Sequence, residues 1–124
     1  MRALVIDDSK AMRLILSRAL KQSGFEVAEA IHGKDGLEKL GAAGPFDVAL
    51  VDWNMPEMNG LEFVQAVRAS AGYAGMKLMM VTTEAEIARI ETALAAGADE
   101  YVMKPFTNDM IKDKLSMLGL AGAG

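Results

Sequence analysis

The sequence predicts an α/β fold in which a five-stranded parallel sheet is covered by helices on both faces. Three observations lead to this prediction. Short apolar runs recur five times, helical patterns of apolar residues follow each run, and three of the runs are almost uninterrupted in apolar character. Strands buried on both faces of a parallel sheet have such runs. Regular alternation of strand and helix is in turn typical of parallel α/β folds.

The predicted strands are named here by their apolar runs. In chain order these are residues 3–6, 27–28, 48–51, 78–81 and 101–103. The first, third and fourth runs each contain four consecutive apolar residues, so we expect these strands to be buried on both faces.

Each strand is followed by a pattern with the period of an α-helix. Apolar residues spaced three and four apart lie on one face of a helix, which we expect to cover the sheet. The five patterns are Met12, Ile15, Leu16, Ala19 and Leu20; Leu37 and Leu40; Leu61, Val64 and Val67; Ile87, Ile90 and Leu94; and Ile111, Leu115 and Leu118. Glycine-containing pairs such as 23–24 and 96–97 mark helix ends. Thr107 is suited to cap the last helix.

Two strand orders are common in doubly wound sheets, and both place ligands at the carboxyl ends of the strands where the order reverses. With five strands and right-handed crossovers, the flavodoxin-like order 2-1-3-4-5 is the better prediction. The reversal then lies between the first and third strands. No repeat, linker or composition shift divides the sequence, so we expect residues 1–124 to form a single domain, with a fraying tail at 120–124.

Composition argues against several functions. The sequence contains no cysteine, which excludes thiolate metal sites and thiol nucleophiles. Its net charge is −4 and its basic residues are scattered, unlike those of a nucleic-acid-binding protein. The first apolar run is too short for a signal peptide or a membrane span. We therefore expect a cytoplasmic protein that binds neither nucleic acid nor membrane.

Polar residues follow four of the predicted strands. Because the carboxyl ends of parallel strands share one edge of a sheet, we expect these residues to converge there. A single Asp after a strand is usually a turn residue, but turns do not readily explain the joint pattern. The residues are Asp7 and Asp8 after the first strand, Asp52 after the third, Thr82 and Thr83 after the fourth, and Lys104 and Pro105 after the fifth.

Three carboxylates in one cleft need a positive partner. Two like charges about 4 Å apart repel by roughly 4 kcal/mol at an effective dielectric constant near 20. Oxygen ligands without Cys or His favour a hard cation, Mg²⁺ rather than Zn²⁺. A carboxylate nucleophile, a hydroxyl donor and a lysine beside such an ion are the groups that phosphoryl transfer requires.

The sequence resembles the receiver domains of response regulators over essentially the whole chain. Among them it resembles the chemotaxis members in particular. Together with Asp7 and Asp8, the resemblance is carried by the segments 52–56 (DWNMP), 59–60 (NG), 81–85 (VTTEA) and 97–106 (GADEYVMKPF).

The resemblance implies a role for each matching residue. Asp52 is expected to accept the phosphoryl group. Mg²⁺ is expected at Asp7, Asp8, Asp52 and the backbone carbonyl of Asn54. Thr82 and Lys104 would bind the phosphoryl oxygens, Tyr101 would swing inward as Thr82 moves, and the Lys104–Pro105 bond would be cis.

Further residues are expected to tune the lifetime of the phosphorylated form. Asn54 and Glu84 match the chemotaxis members, which implies a lifetime of seconds to minutes. Position 83 departs from them, since they have Ala where this sequence has Thr83. Its extra hydroxyl and methyl are expected to slow entry of the phosphodonor or of water.

The resemblance also implies partners. The phosphodonor would be a histidine kinase, and the receiver would catalyse its own phosphorylation and dephosphorylation without being a conventional enzyme. The signal would leave through the face formed by the fourth helix, fifth strand and fifth helix, with the flagellar switch as the expected target. The alternative is a phosphorelay receiver that passes its phosphoryl group to a histidine phosphotransfer domain.

The same fold allows three other interpretations of the function. A flavodoxin would need a hydroxyl- and glycine-rich phosphate loop where Asp7 and Asp8 stand. A phosphatase of the haloacid dehalogenase type would need a second Asp where Asn54 stands. A receiver that acts only as a scaffold would not need the full set of site residues, all of which are present.

Overall fold

The computed structural model describes residues 1–120, except for the side chain of Glu84. Its five strands form one sheet with the order β2-β1-β3-β4-β5, and all four strand pairs are parallel. The predicted order 2-1-3-4-5 is therefore confirmed. The strands are β1 (Arg2–Ile6), β2 (Glu26–Ala30), β3 (Val48–Asp52), β4 (Lys77–Thr82) and β5 (Glu100–Met103).

Within residues 1–120, five α-helices alternate with the strands, as predicted. They are α1 (Lys10–Gln22), α2 (Gly33–Ala43), α3 (Gly60–Arg68), α4 (Ile90–Ala96) and α5 (Asn108–Met117). Two 3-10 helices precede β4 and α4, at Ala71–Tyr73 and Glu84–Arg89. The fourth predicted helix is therefore shorter than its apolar pattern, because Ile87 lies in the second 3-10 helix.

The sheet separates two apolar layers. On one face, Ala3 and Val5 of β1 pack in a cluster with residues of α1 and α5. On the other face, Leu4 and Ile6 pack in a cluster with residues of α2, α3 and α4. Successive side chains of β1 thus enter opposite layers, which explains why the central strands are apolar at every position.

Two residues predicted to face the sheet are exposed instead. Ile15 of α1 is 46% exposed and Leu94 of α4 is 40% exposed. In α1 the sheet-facing positions are taken by Leu16, Ala19 and Leu20. In α4 the buried position after Ile90 is Ala93, which lies three residues on, so Leu94 falls outside the contact face.

Side-chain caps start four of the described α-helices at the carboxyl edge of the sheet, and the cap of α2 is His32. The amide N–H of Met12 donates to the Ser9 hydroxyl at 3.2 Å, and Asn59 and Glu62 form a capping box at α3. Thr107 caps α5, as predicted. These caps hold the loops in which the polar residues of that edge lie.

No helix among residues 1–120 is long and apolar enough to cross a membrane.

Candidate functional site

Three carboxylates meet at the carboxyl edge of the sheet. Asp7 and Asp8 follow β1, Asp52 ends β3, and these strands are neighbours, with Ile6 paired to Val51. One carboxylate oxygen from each Asp lies within 4.8 Å of the other two. Asp7 and Asp52 are buried, whereas Asp8 is exposed. The cluster therefore has two acids inside the protein and one at its mouth.

Lys104 brings a positive charge to this cluster from the edge strand β5, which is two strands away from β3. It follows β5, yet its side chain extends past β4 to the end of β3. The Nζ atom donates a hydrogen bond to Oδ1 of Asp52 at 3.1 Å and lies 3.8 Å from Oδ2 of Asp7. The backbone N–H of Lys104 donates to the carbonyl oxygen of Thr82 at 2.7 Å. The Lys104–Pro105 peptide bond is cis.

Burial dominates the electrostatics of the two inner acids. Burial and, next to it, the charge of Asp7 raise the pKa of Asp52, and Lys104 opposes the change. The net result of these effects is a rise of the pKa from 3.8 to about 6. Burial also raises the pKa of Asp7, against the backbone N–H of Ser9 and the charge of Lys104. One lysine therefore offsets only part of the cost of ionising these carboxyl groups.

The site has the donor atoms of a divalent-cation site. Oδ1 of Asp7 accepts the N–H of Ser9 at 2.8 Å. Its Oδ2 is buried and has no hydrogen-bond partner within residues 1–120. Apart from the ion pair with Lys104 at 3.8 Å, this buried carboxylate oxygen has no hydrogen bond in the described structure, which is unfavourable, and a cation held by oxygen ligands would satisfy it. The residues present therefore fit Mg²⁺, with Asp7, Asp8 and Asp52 as its candidate ligands.

Thr82 and Thr83 lie at the same edge but do not contact Asp52 through a hydrogen bond in the described structure. Thr82 is fully buried at the end of β4, and its hydroxyl is 3.4 Å from the carbonyl oxygen of Thr83. The hydroxyl of Thr83 donates to Oε1 of Glu86 at 2.9 Å. The prediction for Glu84 concerns a side chain outside the described structure.

The loop after β3 places Asn54 at the mouth of the site. Asn54 is exposed, while Trp53 before it is buried. The Trp53 N–H donates to the carbonyl oxygen of Val81 at 3.2 Å, and its own carbonyl oxygen accepts the N–H of Gly60 at 3.0 Å. These two bonds connect the loop to β4 and α3, so the backbone around Asn54 is held beside Asp52.

Tyr101 lies on β5, on the same face of the sheet as Thr82. It pairs with Met80, two residues before Thr82, so the two side chains are near neighbours on that face. Its ring is half-buried, and Nζ of Lys114 lies 4.8 Å from the ring centre.

Sequence reasoning missed two residues at this edge. Arg13 of α1 donates to the carbonyl oxygen of Asp7 at 2.7 Å, and nothing in its spacing indicates this contact. Glu86 binds both the N–H and the hydroxyl of Thr83. The spacing of Thr83 and Glu86 is that of a capping box, a signal that could have identified this pair from the sequence.

The sequence that forms this sheet and this edge of acids, hydroxyls and lysine matches a family model over most of its length. The family model described as the response regulator receiver domain matches residues 3–116. The chain belongs to this receiver family.

Its relatives include chemotaxis proteins of similar length. The chain is 44% identical over 119 residues to the chemotaxis protein CheY1 of Helicobacter pylori, covering 95% of this chain and 96% of that protein. It is 45% identical over 125 residues to a CheY homologue of Campylobacter jejuni, covering 100% of this chain and 96% of the homologue.

Solved structures support the same relationship. The structure of the chemotaxis response regulator CheY4 of Vibrio cholerae has a TM-score of 0.86 and 35% sequence identity, with 94% of this chain and 97% of that one covered. A putative response regulator of Chloroflexus aurantiacus has the same TM-score at 24% identity. This likeness shows the fold alone. The chain is therefore a receiver domain similar to chemotaxis regulators.

Proposed function

We propose that this protein is a response regulator that accepts a phosphoryl group on Asp52 from a phosphohistidine of a histidine kinase. The observation that supports this most is the placement of Asp52. Its carboxylate is buried, lies beside two further carboxylates and receives a hydrogen bond from Lys104 at 3.1 Å. A carboxylate nucleophile requires an environment of this kind.

In the proposed step an oxygen of Asp52 attacks the phosphorus atom of the phosphohistidine. The new O–P bond forms as the P–N bond breaks, and the histidine nitrogen keeps the electron pair and takes up a proton. Lys104 stabilises the negative charge of the transferred group, because its ammonium is held at this position before the reaction begins. Hydrolysis later returns Asp52 to its free carboxylate.

Mg²⁺ is the cofactor we propose, held by Asp7, Asp8, Asp52 and the backbone carbonyl of Asn54. When bound, it offsets the negative charge shared by these carboxylates and the phosphoryl oxygens. The buried Oδ2 of Asp7, which has no hydrogen bond within residues 1–120, supports this assignment. The exposure of Asp8 at the mouth of the site leaves room for ion-bound water, which Mg²⁺ usually retains.

The output is proposed to be a population shift between two conformations. After phosphorylation the Thr82 hydroxyl binds a phosphoryl oxygen, and Tyr101 moves inward on the same face of the sheet. A protein partner reads the change on α4, β5 and α5. Exposed apolar side chains on these elements support such a surface: Leu94, Met103 and Met110.

We propose chemotaxis as the process, with a cytoplasmic location and the flagellar switch as the target. The relatives named as chemotaxis proteins support this choice. Binding to a flagellar switch peptide, compared with binding to a histidine phosphotransfer domain, tests it. Phosphorylation-dependent binding to the phosphotransfer domain alone would replace chemotaxis by the phosphorelay alternative.

Trp53 provides the experiment for the acceptor. It is the only tryptophan in the sequence, is buried and follows Asp52 directly. Its fluorescence is expected to change with Mg²⁺ and again with acetyl phosphate, and the second change is expected to decay within seconds to minutes after the donor is removed. Asp52→Asn is expected to abolish the second change. An acetyl phosphate response that survives in Asp52→Asn would refute Asp52 as the acceptor.

A further inference from the structure

The peptide unit between Thr82 and Thr83 is held by hydrogen bonds on both sides. Its carbonyl oxygen, on Thr82, accepts the backbone N–H of Lys104 at 2.7 Å. Its N–H, on Thr83, donates to Oε1 of Glu86 at 3.2 Å. The Thr83 hydroxyl donates to the same Oε1 at 2.9 Å. The backbone N–H of Lys104 on one side and the side chain of Glu86 on the other therefore set the orientation of this peptide unit.

A glutamate is an unusual residue to hold a peptide unit at a buried position. Glu86 is only 8% exposed, and its Oε2 has no hydrogen-bond partner within the described structure. It makes no ion pair with any residue of 1–120. Buried carboxylates are normally paired or fully hydrogen-bonded, because burying a charge is costly. The hydrogen bonds that this side chain does accept both come from Thr83.

We propose that Glu86 is a positioning residue that, through Thr83, holds the Thr82–Thr83 peptide in the arrangement of the unphosphorylated protein. The inference rests on the proposed function, in which the Thr82 hydroxyl turns toward a phosphoryl group on Asp52. Since Thr82 and Thr83 share this peptide, the turn of Thr82 strains or breaks the contacts between Thr83 and Glu86. The pair thereby opposes phosphorylation, and its strength sets how readily the protein is activated.

In this role Thr83 slows phosphorylation through its hydrogen bond to Glu86, and not through the size of its side chain. The expectation from sequence was steric, with the hydroxyl and methyl slowing entry to the site. In the structure the hydroxyl is instead bound to Glu86 at 2.9 Å. The inhibitory element is then the hydrogen bond, and the methyl group is incidental.

Two matched substitutions of Thr83 separate these explanations. Thr83→Val keeps the bulk and removes the hydroxyl, whereas Thr83→Ser keeps the hydroxyl and removes the methyl. We expect Thr83→Val to be phosphorylated by acetyl phosphate and Mg²⁺ about fivefold faster than the starting protein, the factor that corresponds to the loss of one helix-cap hydrogen bond. Thr83→Ser is expected to react at the starting rate.

Substitutions of Glu86 provide the second half of the test. Glu86→Gln retains an oxygen that can accept both bonds and is expected to react at nearly the starting rate. Glu86→Ala removes the acceptor of both bonds and is expected to be at least as fast as Thr83→Val, which keeps the backbone N–H bond, and the double variant is expected to be no faster than Glu86→Ala. Urea unfolding of each variant shows whether it is folded, and a rate that follows stability instead of the hydrogen bond would contradict the inference.

Amide hydrogen exchange tests the contact without phosphorylation. In the unphosphorylated protein the N–H of Thr83 is expected to exchange about fivefold or more faster in Glu86→Ala than in the starting protein. Equal exchange overturns the inference. So does a fast Thr83→Ser beside an unchanged Thr83→Val, which would establish the steric explanation. If the starting protein shows no Asp52-dependent phosphorylation, the proposed function fails, and the exchange result still decides whether Glu86 holds the peptide.

Discussion

Replacing Asp52 by Asn is expected to stabilise the metal-free protein near pH 8 and to have little effect near pH 4. The reason is the burial of the Asp52 carboxyl among other acids, which raises its pKa from 3.8 to about 6. A carboxyl with a raised pKa binds its proton more tightly in the folded than in the unfolded protein. Its protonated form therefore stabilises the fold fully below about pH 3.8, and this contribution is lost as the pH rises through about 6.

The size of the effect follows from the two pKa values. Each tenfold change in proton affinity corresponds to about 1.4 kcal/mol, so the difference between 3.8 and about 6 corresponds to about 3 kcal/mol. An amide at position 52 carries no charge and can still accept the hydrogen bond from Lys104 through its oxygen. We therefore expect Asp52→Asn to raise the free energy of unfolding by about 2 to 3 kcal/mol near pH 8.

The measurement is urea unfolding of both proteins with a metal chelator, at about pH 4 and about pH 8. Asp113→Asn is the matched control. Asp113 is exposed and makes no ion pair within residues 1–120, so this change is expected to leave the free energy of unfolding nearly unchanged at both pH values. Excess Mg²⁺ is expected to stabilise the starting protein more than Asp52→Asn, since a proposed ligand is lost.

Two results would refute this reasoning. Asp52→Asn could be no more stable than the starting protein near pH 8, which would mean that the buried carboxylate is not destabilising. It could also be stabilised equally near pH 4, which would mean that the gain comes from packing and not from the charge.

Three further predictions concern Lys104, Arg68 and His32. Lys104→Met removes the cation 3.1 Å from Asp52 and is expected to raise the pKa of Asp52 further and to slow phosphorylation by acetyl phosphate about a hundredfold, measured by Trp53 fluorescence. Arg68→Ala removes hydrogen bonds to three backbone carbonyls and a 2.8 Å ion pair, and is expected to cost about 3 kcal/mol in urea unfolding. His32→Ala removes the side-chain cap of α2 and is expected to cost about 1 kcal/mol in the same assay.

Each of these predictions has its control. Lys112→Met and Arg18→Ala change exposed residues and are expected to leave phosphorylation and stability, respectively, nearly unchanged. His32→Asn keeps a capping acceptor and is expected to retain most of the stability lost in His32→Ala. Equal losses in Asn and Ala would contradict a capping role, equal rates for the two lysine variants would contradict the role of Lys104, and a loss no larger than that of Arg18→Ala would contradict the structural role of Arg68.

Much of the fold could be predicted from the sequence because its signals are local. Continuous apolar runs such as 3–6 and 48–51 are typical of strands covered on both faces, and the alternation with helices favours parallel pairing. Parallel strands carry the residues that follow them to one edge of the sheet. The convergence of Asp7, Asp52 and Lys104 was therefore predictable from chain order, before any contact was known.

Other features depend on how the elements pack. The apolar period of α1 and α4 includes Ile15 and Leu94, but the width of the contact with the sheet decides that both are exposed. Asp7 and Asp8 are chemically identical in the sequence, and only the position of the neighbouring elements buries one and exposes the other.

The sequence by itself determined the strand order, the edge at which the site lies and the chemical groups it contains, because these follow from periodicity and connectivity. The tertiary structure decided that Oδ2 of Asp7 has no hydrogen bond within residues 1–120, that Lys104 extends past β4 to Asp52, and that Thr83 is bound to Glu86. Burial and distance are properties of side chains brought together from separate elements. They determine the pKa of Asp52, and no local pattern in the chain encodes them.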